Sequence, residues 1–397
     1  MNRKMTEVNW INYAAVIGAG TMGREIAQVS LMAGFEKVFL FSRTQKTLDI
    51  ALNFIENGLH KMESKGLVDK GATNNLLKNL VLVRDIEKAV ENADIVIESV
   101  PENMDLKREI FSKLGKYAPK RSILATNTST MSISKIAEAS DRPQQVVGMH
   151  FFTPIPVLRL IEIIKGEKTS IKTFETAIEI GKKFPALKGK RYIAKIEKES
   201  PGFIVNRLTI TSSLLMNWLL DQATEKGIPY EKIDHDFVDP PALGPFAKWD
   251  YFGLDVVRDT LNYFSKTISP EFKLGKTITK LLKEGNLGRK TGKGIYEWHE
   301  GKPITKHEGK AGLGSNELYY AIQLNEGCRL LEEGVVSSYK TIDDTMLAGM
   351  DLPGPFGPGK RNYKKWSQLL EELSAQSGIK YLQPCELMKS GEFVKMR

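Results

Sequence analysis

His150 and Glu162 stand on either side of a turn marked by Pro154 and Pro156, in the stretch VVGMHFFTPIPVLRLIEII from Val146 to Ile164. An imidazole moves a proton near neutral pH, and a carboxylate beside it fixes its tautomer and stabilises the charged ring, so together they have the makings of a general base. The alternative is a core histidine capped by a convenient acid. Whether the two meet depends on the elements that carry them. Val146 to Phe152 and Val157 to Ile164 are β-rich runs, and two such runs around a proline turn predict a hairpin. A hairpin centred near Pro156 sets His150 opposite Glu162 with Cβ atoms roughly 5 Å apart, close enough for a hydrogen bond between the side chains.

A second constellation lies near the start. Tyr13 to Ile17 predicts a short strand that runs into GAGTMG, with Gly18, Gly20, Thr21, Met22 and Gly23, and then into a helix from Arg24 to Met32. Glycine at the first position allows the tight turn, at the second lets the backbone approach a pyrophosphate, and at the third packs helix on strand, while the helix N-terminus presents N–H donors to phosphates. The next strand, Val38 to Phe41, ends in Ser42, followed by Arg43 and Lys46. A site for NAD usually has an acid there for the ribose hydroxyls; a small hydroxyl followed by cations suits a 2′-phosphate, or else is a solvated helix start. Strands over Leu80 to Val83, Ala93 to Val100 and Ser122 to Ala125 follow, with helices over Asn53 to Leu77, broken around Gly66, and over Leu106 to Leu114. The carboxyl ends of the last two strands carry Pro101, Glu102 and Asn103, then Asn127, Thr128 and Ser129, where ligands sit in open α/β sheets. Short polar residues at such a position cap the next helix, touch a ligand, or do both.

The chain of 397 residues has room for two or three domains, and its 41% hydrophobic and 26% charged residues are those of an ordinary globular protein. No apolar run approaches the roughly 20 residues that cross a bilayer, so no membrane partner is expected. MNRKMTEVNW lacks the apolar core of a signal peptide, and Cys328 and Cys385 are not spaced as a metal motif; a reducing, cytoplasmic setting and no metal are the expectation. The net charge of +9 favours anionic partners, but the lysines are scattered and no nucleic-acid motif accompanies them, which points to a phosphorylated small molecule. A helix over Phe174 to Phe184 and a strand over Arg191 to Ile196 precede the charged connection KIEKES, beyond which PGFIVNR opens a long helix to about Thr224 and strands give way to helices. The expected fold is therefore an α/β Rossmann-type N-terminal domain, 1–198, followed by an all-α region. That region repeats itself: NWLLDQATEKGIPYEKIDHDF resembles NEGCRLLEEGVVSSYKTIDDTM, and ALGPF resembles PGPFGP, which predicts two copies of a helical module, 199–300 and 313–397.

GAGTMG, IESVPEN, TNTST, HFFTP and PGFIVNR, in this order and spacing, resemble the 3-hydroxyacyl-CoA dehydrogenases over essentially the whole chain, in the form with a duplicated helical module and no fused hydratase domain. The resemblance implies reversible oxidation of an (S)-3-hydroxyacyl-CoA to the 3-ketoacyl-CoA with a nicotinamide cofactor, in fatty-acid or short-chain acyl-CoA metabolism. It gives His150 the role of base and Glu162 that of its orienter, makes Ser129 and Asn206 substrate-binding, and sets Glu102 and Lys107 at the nicotinamide half. Without it, Glu102 reads as a helix N-terminal acid and Lys107 as a solvent-facing helix residue. Two positions depart from the family pattern: Thr153 stands where HFFNP has Asn, and Ser42 where the acid for the ribose is usual, so NAD is the expected cofactor with NADP possible through Ser42 and Arg43. The rival readings are a related sugar-acid dehydrogenase of the L-gulonate type and a non-catalytic nicotinamide-binding protein. Single-module relatives dimerise through the helical domain, so a second module in the same chain implies a monomer or weak homodimer.

Overall fold

The computed structural model describes residues 11–396, and the opening MNRKMTEVNW, on which the expectation of no leader rests, lies outside the described residues. Eight strands, β1 (Tyr13–Ile17), β2 (Lys37–Phe41), β3 (Leu80–Val83), β4 (Ile95–Glu98), β5 (Ile123–Thr126), β6 (Val146–Phe151), β7 (Leu160–Ile164) and β8 (Tyr192–Ile196), form one sheet. Its order is β3-β2-β1-β4-β5-β6-β7-β8, parallel except where β6 meets β7. The connections carry α1 (Thr21–Met32), α2 (Gln45–Ser64), α3 (Thr73–Leu77), α4 (Ile86–Val90), α5 (Met104–Tyr117), α6 (Ile133–Ala137) and α7 (Ile171–Lys183). Strands β4 to β7 are buried at every position, which is why they read as unbroken apolar runs in the sequence. Helices begin where short polar side chains accept from the first turn: Thr44 from the amide of Thr47, Asn103 from that of Leu106, Ser170 from that of Thr173. The cap at Thr44 starts α2 ahead of the expected Asn53, and Gly66, at φ +73°, follows its end.

The chain divides into two units, one formed by residues up to Val205 together with Gly334–Gly354, the other by Asn206–Glu333 and Pro355–Arg397. The first is the Rossmann-type unit. The second is mostly helical, with α8 (Val205–Thr211) at its start, then α9 (Ser213–Lys226), α10 (Tyr230–Phe237), α11 (Pro245–Phe252), α12 (Leu254–Thr267), α13 (Lys276–Lys283) and α14 (Asn316–Glu332). After α15 (Tyr339–Met350), which falls in the first unit, come α16 (Phe356–Ser377) and α17 (Glu386–Ser390). Strands do not vanish altogether, since β9 (Trp298–His299) pairs with β10 (Lys302–Pro303). The single helix expected through to Thr224 is two, broken at Ser212, where the Thr211 hydroxyl bonds back to the Arg207 carbonyl at 2.7 Å, a bond that bends helices.

Gly334–Gly354, inside the stretch 313–397 that was expected as one module, groups with the sheet. Strand β8 closes one side of the sheet, and α15 packs on β7 and β8. A Cβ at Gly349 would lie 2.5 Å from Leu160 Cδ2, so the helix approaches the sheet more closely than a side chain allows. Lys188 pairs with Asp351 just beyond the helix end. These contacts with β7 and β8 place Gly334–Gly354 with the sheet rather than with the helices on either side of it.

In the second unit a buried ionic cluster joins three stretches: Arg207 on α8 pairs with Glu326 on α14 and, at 2.8 Å, with Glu333, while the Tyr381 hydroxyl donates to Glu326 at 2.9 Å. The two stretches that resemble each other in sequence share one packing device. A Cβ at Gly244 would lie 2.3 Å from Asp234 Cβ, and one at Gly354 would lie 2.1 Å from Asp343 Oδ1. Asp234 accepts from the amides of Phe246 and Ala247 at 2.8 and 3.0 Å and from the Tyr296 hydroxyl at 2.9 Å. Burial outweighs these donors and pushes its pKa up to about 6. A carboxyl whose folded pKa is raised favours the folded state in its protonated form, so this stability is complete below about pH 4 and is lost as pH rises through about 6. Urea unfolding at pH 4 and pH 7 should show the wild type losing on the order of 3 kcal/mol relative to Asp234→Asn over that interval; parallel pH dependences for the two proteins would refute this.

Candidate active site

His150 and Glu162 are directly opposed in the β6–β7 register, and His150 Nδ1 lies 2.7 Å from Glu162 Oε2. Both are buried. The other carboxylate oxygen, Oε1, accepts from the amides of Ile204 and Val205 at 3.1 and 3.2 Å, so the PGFIVNR turn is bonded to the acid that holds the imidazole. Phe152 and Phe203 pack on the histidine ring at centroid distances of 4.3 and 5.7 Å. With Glu162 at Nδ1, the ring is oriented and Nε2 is left as the nitrogen for chemistry. Asn206, the next residue after Val205, opens the second unit.

The proline turn is held by a residue that sequence reasoning passed over. Glu25 on α1 is buried, and its carboxylate accepts from the Thr153 hydroxyl at 3.0 and 3.2 Å and from the Ile155 amide at 2.6 Å. Thr153, where the family has Asn, thus donates to an acid on the helix that follows the glycine loop. The only signal in the sequence was an acid beside the apolar residues Ile26 and Ala27, and nothing there named its partner.

Polar residues at the ends of β4 and β5 form one network. Glu98, the last residue of β4, accepts from Lys107 Nζ at 2.8 Å, the Val100 amide at 2.7 Å and the Thr126 hydroxyl at 2.6 Å. Lys107 also pairs with Glu102 at 3.1 Å, and Glu102 in turn accepts from the Thr128 hydroxyl at 2.9 Å and from the Ser129 amide and hydroxyl at 2.6 and 2.9 Å. Lys107 is therefore not a solvent-facing residue: it is 1% exposed, between two carboxylates. Burial alone would lower its pKa, but the charges of Glu98 and Glu102 outweigh that and raise it. Burial works upward on Glu102, and Lys107 with the Ser129 and Thr128 donors overcomes it, holding the carboxyl below its usual range. Nor does Glu102 cap α5, a task that falls to Asn103. Asn127 is engaged within the sheet, its Oδ1 accepting from the Phe151 amide at 2.9 Å and its Nδ2 donating to Ser99 at 3.5 Å. Glu98 was legible as an acid inside an apolar strand, but not as the anchor of Lys107.

The glycine loop shows which of its positions serve the fold. A Cβ at Gly18 would meet the Ser99 carbonyl at 2.5 Å, and φ there is +112°; one at Gly23 would meet the Gly18 carbonyl at 1.7 Å. At Gly20 it would meet nothing within 4 Å, so the protein itself does not demand glycine there. Open space before a helix N-terminus at the β1–β4 switch of strand order is what a pyrophosphate needs. Thr21 and Met22 begin α1 beside that space.

A family model for the NAD-binding domain of 3-hydroxyacyl-CoA dehydrogenases matches residues 13–193, and one for their C-terminal domain matches 202–298. The 3-hydroxybutyryl-CoA dehydrogenase of Clostridioides difficile is 34% identical over 290 residues, 72% of this chain and 99% of that relative. The chain belongs to the 3-hydroxyacyl-CoA dehydrogenase family. The fatty acid oxidation complex subunit alpha of Shewanella baltica is 30% identical over 401 residues, a match that spans 96% of this chain and 55% of that one. A crystal structure of 3-hydroxybutyryl-CoA dehydrogenase from Escherichia coli K12 has the same fold, with a TM-score of 0.81 at 24% identity over 97% of this chain and 99% of the other. As a 3-hydroxyacyl-CoA dehydrogenase family member the chain is an oxidoreductase with a nicotinamide-dinucleotide-binding domain. No helix among the described residues is long and apolar enough to cross a membrane.

The glycine geometry separates two substitutions within this dehydrogenase domain. Gly20→Ala should leave the melting temperature unchanged and weaken NADH binding, measured by fluorescence, by about tenfold or more. Gly23→Ala should lower the melting temperature as well, since its methyl would collide with the Gly18 backbone. Equal melting temperatures for the two variants would contradict this division.

Proposed function

We propose that this chain interconverts an (S)-3-hydroxyacyl-CoA and the corresponding 3-ketoacyl-CoA, with His150 as general base in oxidation and general acid in reduction. The observation that carries the reading is the 2.7 Å contact of His150 Nδ1 with Glu162, made deep in the sheet by a carboxylate whose second oxygen is also bonded. A secondary alcohol releases hydride only as its hydroxyl proton leaves, so the base has to touch that hydroxyl; Nε2 of His150 takes the proton, and Glu162 stabilises the imidazolium. The nicotinamide, when bound, supplies the hydride acceptor. By their match to the family, Ser129 and Asn206 are the substrate-binding positions. Lys107 and Glu98 fix Glu102, and Glu102 fixes Ser129, so the network at the ends of β4 and β5 sets the serine hydroxyl in place. The cofactor in this reading is NAD, with NADP accepted, because Ser42 brings no carboxylate to the adenosine ribose and Arg43 follows it.

Nicotinamide absorbance with acetoacetyl-CoA, run with NADH and with NADPH, is the direct test. His150→Gln should lower turnover by about 10²-fold or more while KM for the acyl-CoA changes little, because the base acts only on the reacting proton. Near-normal turnover in that variant would end the assignment.

The matched stretches around Asp234 and Asp343, each followed by a glycine packed on the aspartate, support a duplicated helical module and hence a monomer or weak homodimer. Light scattering at nanomolar and micromolar concentration should show a monomer at the lower one; a tight dimer persisting there would contradict the duplication argument.

A further inference from the structure

Cations collect at one end of the sheet, and the network around His150 uses none of them. Strands β2 and β3 are parallel and in register, Phe41 beside Val83, and the Ser42 amide donates to the Val83 carbonyl at 3.2 Å. Continued by one residue, that register sets Arg84 beside Ser42, with Arg43 the next residue along. Arg84 Nη2 lies 3.5 Å from the Arg43 carbonyl, so its guanidinium reaches across to the β2–α2 connection, and Lys46 stands in the first turn of α2. Each of the three is exposed, and that first turn holds no acid. The nearby carboxylates have other partners. Asp85 caps α4 by accepting from the Glu87 amide at 2.9 Å, and Glu109 is paired with Lys113 at 2.7 Å, which holds its carboxyl below the usual value with a lesser contribution from the charge of Arg43. Among the described residues no ion pair within 4 Å engages Arg43, Lys46 or Arg84.

We propose that Arg84, from the β3–α4 connection, is a specificity residue that forms a guanidinium pair with Arg43 and takes the 2′-phosphate of an adenine dinucleotide. The inference rests on the reading of this chain as a nicotinamide-dinucleotide enzyme, and it moves cofactor choice from the β2 end alone to two strands. Guanidinium groups bind phosphate oxygens in bidentate fashion, and two of them, neither held in an ion pair, match a dianion. Ser42 completes the site by being small and uncharged, where an acid would repel the same phosphate.

The test is calorimetric titration of the full chain with 2′,5′-ADP, 5′-AMP and NADH, in the wild type and in Arg84→Gln, Arg43→Gln and Ser42→Asp. The wild type should bind 2′,5′-ADP about tenfold or more tightly than 5′-AMP, and each substitution should remove most of that ratio while leaving 5′-AMP within about twofold. Because Arg84 is exposed, the melting temperature of Arg84→Gln should match the wild type. If the ratio survives in Arg84→Gln, with or without a loss in Arg43→Gln, the assignment of Arg84 is overturned. If the wild type shows no preference for the phosphorylated ligand yet binds NADH, the phosphate site fails and the dinucleotide reading stands. If NADH does not bind either, both fail.

Discussion

The Glu162 carboxylate is the point through which the β6–β7 hairpin is held together. One oxygen fixes the His150 imidazole, and the other receives two amides from the turn that leads out of the first unit. A carboxylate with no exposure is tolerated only when its lone pairs are met, and here three donors surround it. Any change that reorients one partner therefore acts on the other. Register matters for the same reason: a slip of one residue between β6 and β7 would turn Glu162 to the opposite face of the sheet and leave both side chains buried without each other.

Burial recurs as the condition under which charge is placed. Glu98, Lys107 and Glu102 form a row from deep in the sheet to its surface, each link shorter than 3.2 Å. Such pairs contribute little to stability once desolvation is counted, yet breaking one strands a charge, which costs about 3–5 kcal/mol. The row therefore acts as a rigid spacer that fixes where the Ser129 hydroxyl sits. The Arg207 cluster is the corresponding device among the helices, joining α8 to α14 across a long separation in sequence.

What could be read from the sequence was what local pattern decides. Antiparallel pairing around Pro154 and Pro156 made the meeting of His150 with Glu162 computable, and the strand–glycine–helix order located the dinucleotide loop. Partners brought together by the sheet order were not legible. Lys107 looked like a solvated residue because its neighbours on α5 are charged, and only the adjacency of α5 to the end of β4 buries it. Glu25 and Thr153 lie far apart in the chain and meet because α1 passes beside the hairpin turn. The packing of α15 on β7 and β8 was equally illegible, because nothing within Tyr339–Met350 names the sheet as its partner.

That insertion has a consequence for how the protein is made. The first unit is discontinuous in sequence: its last helix lies beyond the whole of Asn206–Glu333. During synthesis from the N-terminus, β8 emerges well before α15 exists, so the surface of β7 and β8 that α15 packs on stays uncovered while most of the helical unit is still being translated. Closing so long a loop costs only slightly more entropy than closing a short one, but it delays the docking of α15. YIAKI is the last strand of that sheet, and Lys195, the exposed residue within it, is the kind of gatekeeper that discourages pairing with another chain.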